Sequence, residues 1–394
     1  MEQAQRLQRI PPYPFREIAA LKAKMIADGK EPIDFGIGDP DMPTPQLVID
    51  ALCEAANDPE THPYDESGFG TDRYKSAIAD FAKRRFGIDV DPEGEIQSTI
   101  GGKEALVHMV WAYIDPSDVV LVPDPAYSVY KVQTSWCGGA AFPMPLRAEN
   151  DFLPDFDAIP EAVRQQAKML FINYPNNPTG AVASLEFLEE AVAFARKYEM
   201  VIVQDAAYAE VYYDAADRPH SILEIDGAKD VAVEIHSLSK TFNMTGWRVG
   251  WTWGGAEHIE ALSRAKSNVD SGTFMAIQRA AAAGLDNYDE FAPQMQAEYK
   301  RRRDALVEGL QSLGCPIENP RATFYVWLPV PEGYTSESFA KKLLGDCQVL
   351  AIPGAVYGAT GEGFVRMSLT IKGDDKLAQI EQGIKNMREG GVAW

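Results

Sequence analysis

One lysine of the chain stands where an amine could act as a nucleophile. Lys240 follows an apolar run and is flanked by Ser237 and Ser239. Arg248 comes eight residues after the lysine. An amine in such a place can attack a carbonyl carbon, and the two hydroxyls with the planar, permanently charged guanidinium suit a phosphate group. The aromatic and glycine-rich surroundings fit poorly with a solvated surface lysine, so the segment indicates covalent chemistry beside an anion.

A carboxylate and a phenol precede this lysine in the sequence. Asp205 ends the apolar run VIVQD, and Tyr208 follows three residues later. A carboxylate at the end of a buried strand needs a partner, because an unpaired buried charge is costly. A cationic ring nitrogen would be a suitable partner. Taken alone, the better interpretation is a helix N-cap, for which aspartate is a favoured residue.

Two turns rich in glycine, proline and asparagine follow predicted strands. In YPNNPTG, at 174–180, two prolines and a glycine force a rigid turn that would present the amide of Asn177 beyond the strand end. In TIGGKEA, at 99–105, Gly102 and Lys103 begin a helix, where free backbone N–H groups favour an anion. A plain turn is the alternative for each segment.

A single arginine lies on a predicted strand in the last part of the chain, within FVRMS. A lone arginine such as Arg366 is usually a surface charge. Its functional alternative is the bidentate capture of a substrate carboxylate.

Strands and helices alternate through most of the chain and would bring these residues together. Helical patterns fall at 15–28, 46–57, 73–86, 103–113, 185–198, 256–285, 290–313, 336–344 and 375–387. Strand patterns fall at 97–100, 119–122, 169–173, 201–204, 231–236, 249–253, 323–328, 349–352 and 364–368. Several strands are nearly continuous apolar runs, which is typical of a mainly parallel sheet covered by helices in an α/β fold. Ligands of such sheets bind beyond the carboxyl ends of the strands.

After residue 315 short predicted strands alternate with helical patterns, which suggests a second, smaller domain. The pattern predicts a large domain at 45–289 and a smaller α+β domain at 290–394. An N-terminal arm at 1–44 is expected to return to the smaller domain.

Composition and charge exclude several classes of protein. Lysine and arginine total 37 against 58 aspartate and glutamate, so the net charge of −21 disfavours binding to nucleic acids or anionic membranes. The 4 cysteines and 5 histidines form no Cys-x-x-Cys or His-x-x-x-His pair, and no metal site is predicted. The sequence has no secretory signal and no apolar run long enough to span a membrane, so we expect a cytoplasmic protein.

The order of these segments resembles the fold-type I pyridoxal-phosphate aminotransferases, in the branch that includes aspartate aminotransferase. The resemblance covers nearly the whole chain, and NYPNNPTG together with SLSKTFNMTGWRVG is highly specific. Further segments make the chain most similar to the LL-diaminopimelate aminotransferases and the related alanine aminotransferases. These segments are PPYPF, IDFGIGDPDMPTP, THPY, IGGKEAL, VLVPDPAYSVY and KSNVDSGTF. The resemblance implies the aspartate aminotransferase-like fold and an enzyme that moves an amino group between an L-amino acid and a 2-oxo acid. The sharpest hypothesis is the formation of LL-diaminopimelate from tetrahydrodipicolinate and glutamate in lysine biosynthesis.

The resemblance also implies residues that hold the cofactor, pyridoxal 5′-phosphate. Lys240 would join the cofactor covalently and later shuttle a proton, and Asp205 would pair with the protonated ring nitrogen. Asn177 and Tyr208 would hydrogen-bond the ring 3′-oxygen, and Tyr127 would stack on the ring. The residues implied around the phosphate are Gly102, Lys103, Ser237, Ser239 and Arg248.

For the substrate, the resemblance implies that Arg366 takes the α-carboxylate, with the backbone near Gly38 and the amide of Asn177 assisting. Tyr64 would reach into the site of the neighbouring subunit, so that the active unit is a homodimer. Glu66 is the candidate for binding the distal amine of the substrate. It stands two residues after this tyrosine, whereas plant-type diaminopimelate enzymes have their glutamate three residues after it.

The chain departs from these relatives at further positions. The loop at 64–70 carries one extra residue, Gly102 replaces a frequent serine, and Tyr357 replaces a frequent phenylalanine. These changes leave the transamination residues in place and concern the amino acid specificity. An alanine or aspartate aminotransferase that uses 2-oxoglutarate is therefore the first alternative.

Two alternatives belong to other classes of function. A lyase that breaks carbon–sulfur bonds would use the same cofactor residues and differs only in overall similarity. A non-catalytic regulator would carry a DNA-binding domain ahead of this fold, and only about 30 residues precede IDFGIGD here. That shortness and the negative charge disfavour the regulator.

Overall fold

The computed structural model describes residues 2–8, 10, 15–65 and 67–394. Its helices are α1 (Gln5–Gln8), α2 (Phe15–Ala27), α3 (Gln46–Ala56), α4 (Asp72–Phe86), α5 (Gly102–Tyr113), α6 (Val129–Trp136), α7 (Glu161–Arg164), α8 (Leu185–Tyr198), α9 (Leu238–Thr241), α10 (Ala256–Lys266), α11 (Met275–Asp286), α12 (Tyr288–Gln311), α13 (Ser336–Cys347) and α14 (Lys376–Glu389). Its strands are β1 (Ile33–Asp34), β2 (Ile96–Thr99), β3 (Val119–Asp124), β4 (Ala140–Pro145), β5 (Ala167–Ile172), β6 (Val201–Asp205), β7 (Ala232–Ser237), β8 (Gly250–Gly254), β9 (Tyr325–Pro329), β10 (Val349–Leu350), β11 (Ile352–Pro353) and β12 (Phe364–Ser368).

A seven-stranded sheet forms the centre of the molecule, in the order β2-β8-β7-β6-β5-β3-β4. The pairs from β7 to β4 are parallel, whereas β8 runs antiparallel to both of its neighbours. Because parallel strands end at the same edge, β5, β6 and β7 deliver the residues that follow them to one side of the molecule. The predicted α/β fold with a mainly parallel sheet is confirmed.

Helices cover both faces of this sheet, and the strand sequences explain why. Side chains alternate between the faces of a strand. Along β5, Leu170 and Ile172 enter one hydrophobic core, while Met169 and Phe171 enter another. A strand that buries both faces must be apolar throughout, which is the pattern that the sequence shows.

Two smaller sheets lie outside the central one. β9, β11 and β12 form an antiparallel sheet with β12 in the middle, and β1 pairs with β10 in parallel. The second pairing joins the N-terminal part of the chain to its last third, at Ile33 and Val349. Among the described residues, no helix combines the length and apolar character needed to cross a bilayer.

Some predicted elements were wrong. The single helix predicted over 256–285 is broken between α10 and α11, where Asp270 Oδ1 accepts hydrogen bonds from Lys266 Nζ and from the backbone N–H of Gly272, which has φ +87°. The bond to the Gly272 N–H closes a local turn after Asp270, and side-chain bonds of this kind to the backbone compete with helix formation. The strand predicted over 349–352 divides into β10 and β11, which pair with different partners.

Two elements of the structure lacked a strong sequence signal. The strand β4 contains Pro143 and Pro145 and lies at the edge of the sheet, where a missing N–H is tolerated. The helix α6 is rich in β-branched residues, which lower helix propensity.

Candidate active site

A cavity of about 910 Å³ lies at the carboxyl ends of the central parallel strands. Asp205 ends β6, Ser237 ends β7, and the turn with Asn177 follows β5. Predicted site residues that line the cavity are Gly38, Gly102, Lys103, Tyr127, Asn177, Asp205, Tyr208, Ser237, Ser239, Lys240, Arg248 and Arg366. The sheet thus brings together residues that are far apart in the sequence.

Lys240 projects into this cavity from a short helix. The hydroxyl of Ser237 accepts a hydrogen bond from the backbone N–H of Ser239 at 3.3 Å and so caps α9 directly after β7. The Lys240 ammonium donates a hydrogen bond to the carbonyl oxygen of Gly38 at 3.4 Å. Burial lowers the pKa of Lys240 to about 8, although Asp39 partly opposes the shift. A considerable fraction of this amine is therefore neutral near physiological pH.

Asp205 is buried and has neutral hydrogen-bond partners. Its Oδ2 accepts a hydrogen bond from the phenol of Tyr130 at 2.7 Å, and its Oδ1 accepts one from the backbone N–H of Ala207 at 3.2 Å. Burial raises the pKa of Asp205, while these two hydrogen bonds act in the opposite direction. A cationic group beside this carboxylate would restore the stability of its ionised form.

The turn after β5 is held by asparagine side chains. Asn173 Oδ1 accepts a hydrogen bond from the backbone N–H of Asn177 at 2.9 Å, and Asn173 Nδ2 donates one to the backbone oxygen of Asp205 at 2.7 Å. Asn173 is buried. One side chain therefore fixes the Asn177 backbone relative to the end of β6.

One end of the cavity is shaped to receive an anion. The helix α5 begins at Gly102, after Gly101 with φ +73°. A Cβ on Gly101 would lie 2.5 Å from Arg248 Nη2, so a side chain at this position would displace the guanidinium from the turn. Ser239 Oγ accepts a hydrogen bond from Arg248 Nη1 at 3.5 Å. Burial and the charge of Arg248 lower the pKa of Lys103.

At the other end of the cavity, Arg366 is buried and held by uncharged groups. Its guanidinium donates to Asn177 Oδ1 and to the backbone oxygen of Gly36, both at 3.0 Å. Its Cζ lies 4.0 Å from the centre of the Tyr325 ring and 5.0 Å from that of Tyr357. Burial opposes the charge, but the phenols of Tyr357 and Tyr325 outweigh it and raise the pKa of Arg366. Such a cation is suited to a carboxylate ligand.

The sequence model of one protein family matches residues 30–380, and its description is aminotransferase class I and II. The chain belongs to this family. As an aminotransferase it is an enzyme, and the non-catalytic regulator is thereby excluded.

Several relatives of this aminotransferase are named LL-diaminopimelate aminotransferase. One, from Nostoc sp. (strain PCC 7120), is 48% identical over 395 residues, which is 100% of both chains. Another, from Moorella thermoacetica, is 49% identical over 382 residues and 97% of both chains. Among solved structures, substrate-bound BacF from Bacillus subtilis has a TM-score of 0.95 at 34% identity, covering 100% of this chain and 99% of its own. A mutant aspartate aminotransferase from Thermus thermophilus has a TM-score of 0.91 at 27% identity, covering 99% and 100%. The expected aspartate aminotransferase-like fold is confirmed.

One predicted residue, Tyr64, does not join the cavity of the aminotransferase in this single chain. Tyr64 is 78% exposed and is not among the described residues that line the cavity. Glu66 lies outside the described residues, as do residues 11–14 of the PPYPF segment.

Several residues of the aminotransferase site were missed from the sequence. Tyr130 and Asn173 contact Asp205, and Tyr325 and Tyr357 pack against Arg366. For Tyr130 a signal existed, because it stands in the recognised segment VLVPDPAYSVY.

A cluster of potential metal ligands lies between helix α5 and the segment that follows α10. The side chains of Glu104, His108 and Asp270 converge closely enough to hold an ion. However, the ammonium of Lys266 lies 3.3 Å from Glu104 Oε1 and 2.5 Å from Asp270 Oδ1. The lysine thus supplies the positive charge that the two carboxylates require.

Proposed function

We propose that this chain is an LL-diaminopimelate aminotransferase, which moves the amino group of glutamate to tetrahydrodipicolinate in lysine biosynthesis. The observation that carries the proposal is the identity of about half of all residues, along the full length, with several proteins of that name. An alanine or aspartate aminotransferase is the runner-up, since the Thermus thermophilus protein shares the fold.

We also propose that the cavity holds pyridoxal 5′-phosphate, and the side chains present fit this cofactor. The turn at Gly101, where a side chain would collide with Arg248, leaves backbone N–H groups and a guanidinium for the phosphate. The buried carboxylate of Asp205 suits a protonated ring nitrogen. Tyr127 is half-buried at the cavity wall, with Lys103 Nζ 5.6 Å from the centre of its ring, and offers a face for stacking.

The residues of the cavity have separate roles in the proposed reaction. When bound, pyridoxal phosphate supplies an electron sink that stabilises negative charge at the substrate α-carbon. Lys240 would hold the cofactor and, once the substrate had displaced it, its free amine would act as the base that carries the proton of the substrate α-carbon. Asp205 would keep the ring nitrogen protonated, and Asn177 and Tyr208 would donate hydrogen bonds to the ring oxygen.

The substrate carboxylate is assigned to Arg366. Two of its three donor nitrogens are held by Asn177 Oδ1 and by the carbonyl of Gly36, which fixes the plane of the guanidinium before the substrate arrives. The backbone at Gly38 borders the same space. A planar fork that is held in advance loses little freedom when it binds a carboxylate.

We propose that the active unit is a homodimer in which Tyr64 and Glu66 serve the partner's site. The strong exposure of Tyr64 supports this assignment, because a side chain that contacts the cofactor of another subunit must point away from its own subunit. Nearby, the ring of Phe274 is 44% exposed and lies 6.1 Å from that of His62, as measured between ring centres. Exposed aromatic side chains of this kind are typical of interfaces.

Capture of the cofactor should depend on pH through Lys240. Only the neutral amine attacks the aldehyde, and burial lowers the pKa of this lysine to about 8. The capture rate of cofactor-free protein should therefore fall about tenfold per pH unit well below pH 8 and level off above it. Stopped-flow absorbance from pH 6 to pH 10 would measure the rate. A free lysine derivative is the control, and a protein rate that rises in parallel with it up to pH 10 would contradict the assignment.

The substrate assignment is tested by assay of the purified enzyme with glutamate and tetrahydrodipicolinate. We expect 2-oxoglutarate and LL-diaminopimelate in equal amounts. Alanine with 2-oxoglutarate, run in parallel, should react much more slowly. Rapid reaction of alanine without any reaction of tetrahydrodipicolinate would favour the runner-up, and pyruvate with ammonia from cystathionine would favour the lyase.

A further inference from the structure

The phenol of Tyr325 contacts three parts of the candidate active site at once. Its oxygen lies 2.9 Å from the phenol oxygen of Tyr208 and 3.5 Å from the carbonyl oxygen of Gly38. The centre of its ring lies 4.0 Å from Arg366 Cζ. Tyr325 is buried. It therefore touches a residue assigned to the cofactor and one assigned to the substrate, while it has no assigned role of its own.

The fold holds this phenol in one place. Tyr325 pairs with Ser368 across β9 and β12, and Arg366 pairs with Trp327, so Tyr325 and Arg366 are diagonal neighbours on one face of the sheet. A Cβ on Gly38 would collide with the phenol oxygen. The absence of a side chain at this position is what lets the ring approach the loop.

The hydrogen bonds around Tyr325 can be assigned by counting donors. A phenol carries one hydrogen, and in the proposed function the hydrogen of Tyr208 goes to the cofactor, which leaves the Tyr208 oxygen as an acceptor. The single hydrogen of Tyr325 can go to that oxygen or to the Gly38 carbonyl. The distance to Tyr208 is shorter by 0.6 Å (3.5 Å against 2.9 Å), which makes the Tyr208 oxygen the better acceptor.

We propose that Tyr325 is a positioning residue that donates its hydrogen to Tyr208 and so turns the hydrogen of Tyr208 into the cavity. If Tyr208 instead donated to Tyr325, its hydrogen would be unavailable to a ligand. A phenol that accepts a hydrogen bond also becomes a stronger donor, because hydrogen bonds in a chain polarise one another. The inference rests on the proposed function, in which Tyr208 donates to the ring oxygen of the cofactor.

The test is Tyr325→Phe in the cofactor-loaded enzyme, followed by a pH titration of the cofactor absorbance without substrate. Phenylalanine keeps the ring and removes only the hydroxyl. The ring oxygen carries more negative charge after deprotonation of the bound cofactor, so a weaker donor at Tyr208 disfavours that form. We expect the pKa of the spectral change to rise by roughly half a unit to one unit, as the loss of one hydrogen bond implies.

Two comparisons separate this role from a general structural one. Tyr299→Phe removes another buried phenol hydroxyl, 5.5 Å between ring centres from Phe324, and should leave the spectral pKa unchanged. In a Tyr208→Phe background, Tyr325→Phe should cause no further shift, because its effect passes through the missing hydroxyl. An unshifted single variant, or an equal shift in the double variant, would overturn the inference.

The same spectra distinguish a failure of the proposed function from a failure of the inference about Tyr325. A wild-type protein without any cofactor absorbance would overturn the proposed function and this inference together. A normal wild-type spectrum with an unshifted Tyr325→Phe spectrum would overturn the inference alone. Since no substrate is present, neither result depends on which amino acid the enzyme uses.

Discussion

Replacement of Lys240 by alanine should lower the transamination rate by about 10⁴-fold or more and remove the yellow colour of the bound cofactor. The amine is assigned both the covalent attachment and the proton transfer, and proton transfer alone contributes roughly 10²- to 10⁴-fold. Steady-state kinetics and the absorbance spectrum measure the two losses separately.

A suitable control is a buried lysine elsewhere in the chain. The Lys75 ammonium pairs with Asp72 and Glu93, at 3.3 and 3.2 Å, and it is not among the described residues that line the cavity. Lys75→Ala should keep the cofactor absorbance and most of the activity. Near-normal turnover in Lys240→Ala would refute the assigned role.

The change Asp205→Asn should reduce kcat by at least about a hundredfold while the cofactor-free protein is at least as stable as wild type. Removing one partner of a buried charge pair costs about 3–5 kcal/mol, and every 1.4 kcal/mol is about tenfold in rate. The stability follows from the sign of the pKa shift. Burial raises the pKa of Asp205, so at neutral pH its charge destabilises the cofactor-free fold, and a neutral amide removes that penalty.

Kinetics of the loaded enzyme and thermal melting of the cofactor-free enzyme test both halves of this prediction. Tyr130→Phe is the matched variant, because it removes the 2.7 Å hydrogen bond to Asp205 but keeps the charge. This variant should lower kcat by only about tenfold. Equal losses in the two variants would mean that the charge of Asp205 is not what the reaction needs.

Much of the fold could be predicted because its strands are apolar runs that end in turns. The helix predicted at 185–198 and the strand predicted at 364–368 match α8 and β12, where caps or turns mark the ends. The break between α10 and α11 could not be read from hydrophobic periodicity, because it lies at a local turn in which the Asp270 side chain bonds the Gly272 backbone. The division into domains at residues 44 and 289 stays a prediction, as does the cytoplasmic location.

The candidate site was predictable where a residue type reveals its chemistry by its neighbours in the sequence. Lys240 and Asn177 stand in such segments, and both line the cavity. Tyr325 could not be found in this way, because its contacts to Tyr208 and Arg366 arise from the packing of β9 against distant elements. Residues that act through other residues need the three-dimensional structure.

The central claim is that the amine of Lys240 carries the cofactor, and reduction of the loaded enzyme with borohydride tests it most directly. Borohydride converts a carbon–nitrogen double bond into a stable single bond, which marks the attached lysine permanently. Peptide mapping by mass spectrometry should find the added mass on Lys240 alone. The mass on another lysine, such as the neighbouring Lys103 of the cavity, or on none, would contradict the account.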